Sequence, residues 1–382
     1  MKTDWLIVGA GFTGAVLAER IASQLGSKVT LIDKRPHIGG NAHDFINDSG
    51  ILTHLYGPHI FHTNSSKVRD YLSRFTAWRP YEHRVAAIVD GKNVPLPFNL
   101  TSIETVFPTQ QAARLIDLLT AHYGDGASIP ILKLREEASG DLAMLADYIY
   151  KNIFHNYTIK QWGLAPDELD AMVTARVPVH VSRDNRYFRD TFQAMPLNGY
   201  TKMFAKILDH PKISLQLGTN YTEAVKTIEY DRMIFTGPID AFFNYEFGAL
   251  PYRSLRFDFH TLDKERHQET GTVNYPNDFD YTRVTEMKHL SGQLGLPKTT
   301  LVYECPQAYE PGKNNAYYPI PCATSRDILR PYEAKAAALK GKVFFAGRLG
   351  DYKYYNMDHA VARALALFDK EIVRADGDLG GI

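Results

Sequence analysis

Apolar and polar positions alternate with two different periods along this chain, and each change of period marks an element. The run Trp5-Leu6-Ile7-Val8 ends in Gly9-Ala10-Gly11-Phe12-Thr13-Gly14. From Ala15 to Leu25 the residues Leu17, Ile21 and Leu25 recur at the spacing of one helix face, and Gly26 predicts the stop. A second buried strand is expected from Val29 to Asp33. Pro108-Thr109 opens another helical stretch, with Ala112, Leu115, Ile116 and Leu119 on one stripe and Gly124 at its end. Leu142, Leu145, Ala146, Ile149 and Ile153 repeat that pattern. Arg84 to Val89, Val177 to Val181, Ser254 to Phe259 and Thr300 to Glu304 alternate as strands do, and antiparallel sheet is the expectation. A last helix is expected from Asp358 to about Val373, with Asn356 as its N-cap.

The first fifty residues carry chemistry as well as pattern. Strand, GxGxxG, helix and strand follow one another, with an acidic residue, Asp33, 19 positions after Gly14. Gly9 permits the tight turn, Gly11 lets a pyrophosphate approach the backbone, and Gly14 lets helix and strand pack closely. The N-terminus of the helix that follows offers unpaired N–H groups to that anion. Asp33 can accept hydrogen bonds from a ribose. Together these predict a dinucleotide site.

Composition narrows the partners. Lys+Arg and Asp+Glu balance at 43 each, which gives no net field for nucleic acid or a membrane surface. Two cysteines are too few for a disulfide framework, and no charged segment with a long apolar core opens the chain. The expectation is a cytoplasmic protein. Twenty-three tyrosines, each a flat face with a hydroxyl, suit a pocket for base, sugar and phosphate.

Lys34-Arg35-Pro36-His37-Ile38-Gly39-Gly40-Asn41 resembles the second glycine-rich element of the large FAD family that includes amine oxidases. Met233 to Pro238 resembles that family's strand and TG turn, and Lys342 to Arg348 its final strand. In that order they imply FAD rather than NAD. The fold expected is α/β: a Rossmann-type FAD-binding domain (1–78, 205–245 and 340–382) with two insertions. One is a helical bundle (103–172), the other an antiparallel β-sheet domain (79–102, 173–204 and 246–339). The tail from Asp376 to Ile382 is Gly- and Asp-rich and expected to fray.

Longer strings narrow the family further. Tyr56-Gly57-Pro58-His59-Ile60-Phe61-His62-Thr63-Asn64, Tyr157-Thr158-Ile159-Lys160-Gln161-Trp162-Gly163 and Arg176-Val177-Pro178-Val179 resemble, in order, the UDP-galactopyranose mutases. So do Asn198-Gly199-Tyr200-Thr201, Tyr281-Thr282-Arg283, Tyr317-Tyr318-Pro319 and Gly347-Arg348-Leu349-Gly350. The resemblance implies interconversion of UDP-galactopyranose and UDP-galactofuranose with reduced FAD. Flavin N5 would be the covalent nucleophile at the anomeric carbon, UDP the leaving group, and galactofuranose for cell-surface glycans the product. It also implies a homo-oligomer and an external reductant such as NAD(P)H, with no nucleic-acid or membrane partner.

Site residues follow from the same strings. Arg176 and Arg283 match arginines that grip the diphosphate, and Tyr187, Tyr318 and Tyr354 match tyrosines that reach it. Phe154 and Tyr157 match uracil-stacking positions, with Thr158 and Asn274 as polar neighbours. Trp162 matches a tryptophan near the galactose, and Arg253 an arginine near sugar and flavin. His62 is expected beside the isoalloxazine. The cofactor set is Gly9, Gly11, Phe12, Thr13, Gly14, Asp33, Lys34, Gly40, Asn41, His59, Ile60, Tyr221, Arg348, Tyr355, Asn356 and Met357; no metal site is expected. His83, His180 and Asn356 depart from the commoner family residues, and His83 is placed among the substrate contacts. The competing readings are a redox flavoprotein of the amine-oxidase type and a non-catalytic sensing module.

Overall fold

A computed structural model describes residues 2–166, 168–170 and 178–373. Its first sheet is wholly parallel, in the order Ile213–Leu217, Val29–Asp33, Lys2–Val8, Glu229–Phe235, Val343–Phe345. Covered on both faces, its central strands read as continuous apolar runs rather than alternation. Leu6, Ile7, Leu31, Ile32 and Ile234 are fully buried there. The first helix begins at Phe12, three residues before the apolar pattern does, because Gly11 holds the extended N-cap conformation. It runs from Phe12–Arg20 into a wider turn, Ile21–Leu25, and ends at Gly26, whose φ of 67° is left-handed. The C-terminal helix Met357–Leu367 packs along it.

The second sheet has seven strands, in the order Tyr318–Pro319, Tyr252–Leu262, Thr299–Ala308, Arg283–Glu286, Thr272–Asn274, Val85–Val89, Lys92–Leu96. The expectation of a purely antiparallel sheet needs two corrections: Pro178–His180 lies outside it, paired with Ser128–Pro130 beside the helices, and Thr272–Asn274 runs parallel to Val85–Val89. A parallel pair needs a long crossover, and the chain between residues 89 and 272 supplies it. Helices Thr109–Tyr123, Ile131–Glu137 and Gly140–Ile149 share one apolar cluster with the hairpin Val85–Val89/Lys92–Leu96, built on Leu115, Leu119, Leu134, Leu145, Val94 and Phe98. The expected frayed tail lies outside the described residues.

One long-range tie fastens a helix that packs against the first helix to the short hairpin strand Asp44–Ile46. Helix Tyr200–Leu208 follows Gly199 and has no cap of its own. Buried Asp44 supplies one from 156 residues away: its carboxylate accepts from Tyr200 N at 2.6 Å and Thr201 N at 2.8 Å. A charge at a helix N-terminus is stabilised by the dipole as well as by the bonds. Asp44→Ala should therefore cost about 3 kcal/mol, since hydrogen bonds to charged groups are each worth roughly 1.5–3 kcal/mol. Urea unfolding checks it, and a loss below about 1 kcal/mol would mean water replaces the cap.

Candidate active site

The parallel strands end together, and their C-terminal ends open on a cavity of about 670 Å³. This is where an open α/β sheet takes its ligand. Gly9, Gly11, Phe12, Thr13, Asp33, Lys34, Gly40, Asn41, His59, Tyr221, Arg348, Tyr355, Asn356 and Met357 line it. Gly14 and Ile60 do not. Gly14 lies under the turn, where an added Cβ would sit 1.9 Å from Gly9 O; Ile60 is packed into the core.

Gly11 tells a different story from Gly14. Its backbone, at φ −84° and ψ −171°, is one any residue adopts. An added Cβ would meet nothing closer than Gly40 Cα, at 3.8 Å. Protein packing does not require glycine there, and the bare backbone leaves room for a ligand to lie against the turn. Asp33 faces the cavity with Oδ2 accepting from Ala10 N and Oδ1 from Arg35 N, each at 2.8 Å, and each oxygen keeps a lone pair for a ribose hydroxyl. Helix Met357–Leu367 points its N-terminus into the same cavity. Asn356 holds the N-cap position but its side chain makes no capping bond. The cleft thus fits a dinucleotide such as FAD along its length.

Beyond the cleft, the second sheet builds a charged centre. Asn274, Arg283 and Glu304 are successive cross-strand partners, so their side chains share one face. Arg253 comes from the next strand. Its Nη2 lies 3.2 Å from Glu304 Oε1, and Arg283 Nε lies 3.4 Å from the same oxygen. Gln161 stands between the two guanidiniums. Arginine nitrogens only donate, so the carboxamide must turn its oxygen to them; it then accepts from Arg253 Nη1 and Arg283 Nη2 at 3.2 Å each. Even so, Arg253 Nε, Arg283 Nε and Asn274 Oδ1 are buried without a hydrogen-bond partner. Three orphaned polar groups around one point mark a place where a polar ligand belongs.

Aromatic faces close the centre. The Arg253 guanidinium lies 5.5 Å from the Trp162 ring and 5.3 Å from Tyr318; Tyr318 stacks on Tyr354 at 5.1 Å. Arg348, which lines the cleft, covers the Tyr318 ring at 4.3 Å and donates to Tyr355 O and Tyr317 O. The two sites are therefore contiguous. Tyr157 is half-buried close to Arg283, with Thr158 buried beside it in sequence. Tyr187 is partly exposed and touches His83. Phe154 sits in the apolar cluster of the helices. His62 does not line the cleft: its Nδ1 is 2.7 Å from Asp190 Oδ2 and its ring stacks on Phe188 at 3.7 Å. Arg176 lies outside the described residues.

Burial sets the protonation of the histidines. His59 and His83 are pushed down to about 3 and His54 to about 4, by desolvation first and then by neighbouring positive charge on His59 and His83. Tyr157 is pushed up to about 12 by burial, which Arg283 opposes. Each of these histidines is neutral when folded but takes a proton below its ordinary 6.5 when unfolded. The unfolded chain binds more protons, so stability falls as pH drops from about 6.5 toward 4, by up to about 1.4 kcal/mol per pH unit for each histidine. Urea unfolding at about pH 7 and about pH 5 should show the loss. His180 is pushed down to about 4 by burial as well, so His83→Asn should remove about a quarter of the loss; an unchanged slope would mean His83 is charged in the fold.

A family model described as UDP-galactopyranose mutase matches residues 152–354, and a model for an NAD(P)-binding Rossmann-like domain matches residues 7–75. A Klebsiella pneumoniae protein named "Probable UDP-galactopyranose mutase" is 37% identical, over 96% of this chain and 94% of its own. The chain belongs to the UDP-galactopyranose mutase family. A UDP-galactopyranose mutase of Mycoplasma pneumoniae is 32% identical over 96% of this chain and 95% of its own; a dTDP-fucopyranose mutase of Escherichia coli is 34% identical over 94% and 96%. In fold, the chain is similar to the crystal structure of reduced UDP-galactopyranose mutase, with a TM-score of 0.74, 17% identity and coverage of 99% and 98%. It is similar also to putrescine oxidase, with a TM-score of 0.57, 13% identity and coverage of 100% and 99%.

Within this family member the sequence reading missed Glu304 and Gln161 at the charged centre, and Arg35, Tyr245, Tyr309 and Lys313 along the cleft. Glu304 had a signal, a carboxylate inside an otherwise buried strand. The cleft residues had little, because they come from loops. The glycine contrast gives a test. Gly11→Ala should fold with a near-normal melting temperature yet lose FAD on purification. Gly14→Ala should lose stability by 1–3 kcal/mol or more, the cost of overpacking. Flavin content and thermal unfolding of both variants decide it; a Gly11→Ala protein that keeps its flavin defeats the assignment of the turn.

Proposed function

We propose that this chain interconverts UDP-galactopyranose and UDP-galactofuranose, with reduced FAD held in the cleft at the strand ends. The observation that carries the reading is the pair of guanidiniums, Arg253 buried and Arg283 half-buried, each with a buried orphaned Nε, that adjoins the dinucleotide cleft through Arg348 and Tyr318. Bound there and reduced, FAD supplies a nucleophile, flavin N5, for the anomeric carbon, with UDP as leaving group. The glycine turn and Asp33 hold its pyrophosphate and ribose. The free N–H groups opening helix Met357–Leu367 favour negative charge at that end of the cleft, and so the reduced form.

Protein groups then position the sugar and stabilise the departing diphosphate. Arg283 and Arg253 present guanidinium forks to it, with Arg176 as a second grip, and Tyr318, Tyr354 and Tyr187 add hydroxyl donors. That charge grows in the transition state, so these donors raise the rate as well as the affinity. Tyr157 and Phe154 take the uracil side, with Thr158 and Asn274 near them; the core position of Phe154 makes it a wall rather than a free stacking face. Trp162 and His83 border the sugar, and Asp190 holds the His62 ring in place.

A homo-oligomer, an external hydride donor such as NAD(P)H and a supply role for cell-surface glycans complete the proposal. A second reading has the same chemistry on a dTDP-linked sugar, which the Escherichia coli relative favours. The yellow protein should be incubated with UDP-galactofuranose, with and without dithionite, and the pyranose followed by chromatography. Turnover only after reduction is the expected outcome. Turnover of dTDP-fucofuranose alone would move the substrate to the second reading, and none with either sugar would end the mutase proposal.

A further inference from the structure

We infer that Gln161 is a positioning residue that keeps the anion site open: a neutral acceptor satisfying both arginines without cancelling their charge. The inference rests on the diphosphate reading above. Two guanidiniums lie within 3.4 Å of one carboxylate oxygen, so one positive charge remains uncompensated between them. Arg253 is 4% exposed and cannot turn to water for its donors. Without a further acceptor, two cations this close would separate, or both would collapse onto Glu304 and misdirect the forks. The Gln161 oxygen, 3.2 Å from one nitrogen of each, ties them in one orientation while leaving the net charge at the centre intact.

Its placement is rigid. Gln161 belongs to the helix Asn156–Trp162, and its neighbour Lys160 donates to Tyr275 O at 2.8 Å and Asp278 O at 2.6 Å, fastening that helix to the loop before Arg283. Asn156 donates to Asn277 on the same loop. On the other side Trp162 faces Arg253. The carboxamide is thus held against the guanidiniums by side-chain contacts of its own helix that are independent of any ligand. A glutamate of the same shape would satisfy the same donors but bring the local charge to zero. A methionine would keep the length, remove the acceptor and leave the charge.

These consequences separate a charge-setting role from mere packing. UDP and uridine are titrated into the flavin-loaded wild type, Gln161→Glu and Gln161→Met proteins at two salt concentrations, with intrinsic fluorescence as the readout. Gln161→Glu should weaken UDP binding by about tenfold or more, the scale of one charged hydrogen bond, and flatten its salt dependence. Uridine, which lacks the diphosphate, should bind all three proteins alike. Gln161→Met should weaken UDP by about threefold to tenfold, with the wild-type salt dependence kept. Equal losses for UDP and uridine, or a Gln161→Glu protein that binds UDP as wild type does, would overturn the role. A wild-type protein that does not bind UDP would instead overturn the nucleotide-sugar reading itself.

Discussion

Arg253 and Arg283 share Glu304 at 3.2 and 3.4 Å, and much of the architecture around the site follows from having to house that arrangement. Burying charge costs several kcal/mol per ion unless partners surround it. The second sheet places Arg283 directly opposite Glu304, a pairing that backbone register holds in place. The faces of Trp162 and Tyr318 compensate the guanidiniums from the sides without removing charge. The result is a centre that is tolerable when empty and still short of one negative charge.

The same arrangement explains why two sheets with different logic are joined where they are. A parallel sheet offers its ligand a row of strand ends and helix N-termini, which suit a long phosphate-linked cofactor. It offers no broad face for side chains, because both faces are covered. An antiparallel sheet does offer one, and Asn274, Arg283 and Glu304 use it. Arg348 stands at the seam. It donates to the carbonyls of Tyr355 and Tyr317 and lies over Tyr318, so one side chain bridges the cleft wall and the charged centre.

What the sequence discloses follows how local each feature is. The parallel core was legible because its strands are continuous apolar runs, and Val29–Asp33 begins and ends at the residues the pattern marks. The glycine turn was legible because the steric need acts between residues five apart, Gly9 and Gly14. The parallel pairing of Thr272–Asn274 with Val85–Val89 was not, since nothing in a three-residue strand specifies a partner more than 180 positions away. The Asp44 cap escaped for the same reason. At the site, strings of residues indicated Arg283, Tyr318 and Trp162, but the partnership of Gln161 with two arginines exists only in three dimensions. The place of Phe154 in the apolar cluster of the helices was likewise not legible from its string.

The histidines complete the electrostatic argument. A centre that binds a diphosphate by one uncompensated charge would change its affinity with pH if neighbouring imidazoles titrated near neutrality. His83, which faces Arg283, and His59, which lines the cleft, are both held neutral by burial, His83 down to about 3 and His59 likewise. Their neutrality means that neither adds a positive charge beside the anion site near neutral pH. Burial is also what makes them costly on the acid side, because each takes up a proton as soon as the chain unfolds. The neutrality of these rings and the acid sensitivity of the fold are two consequences of the same desolvation.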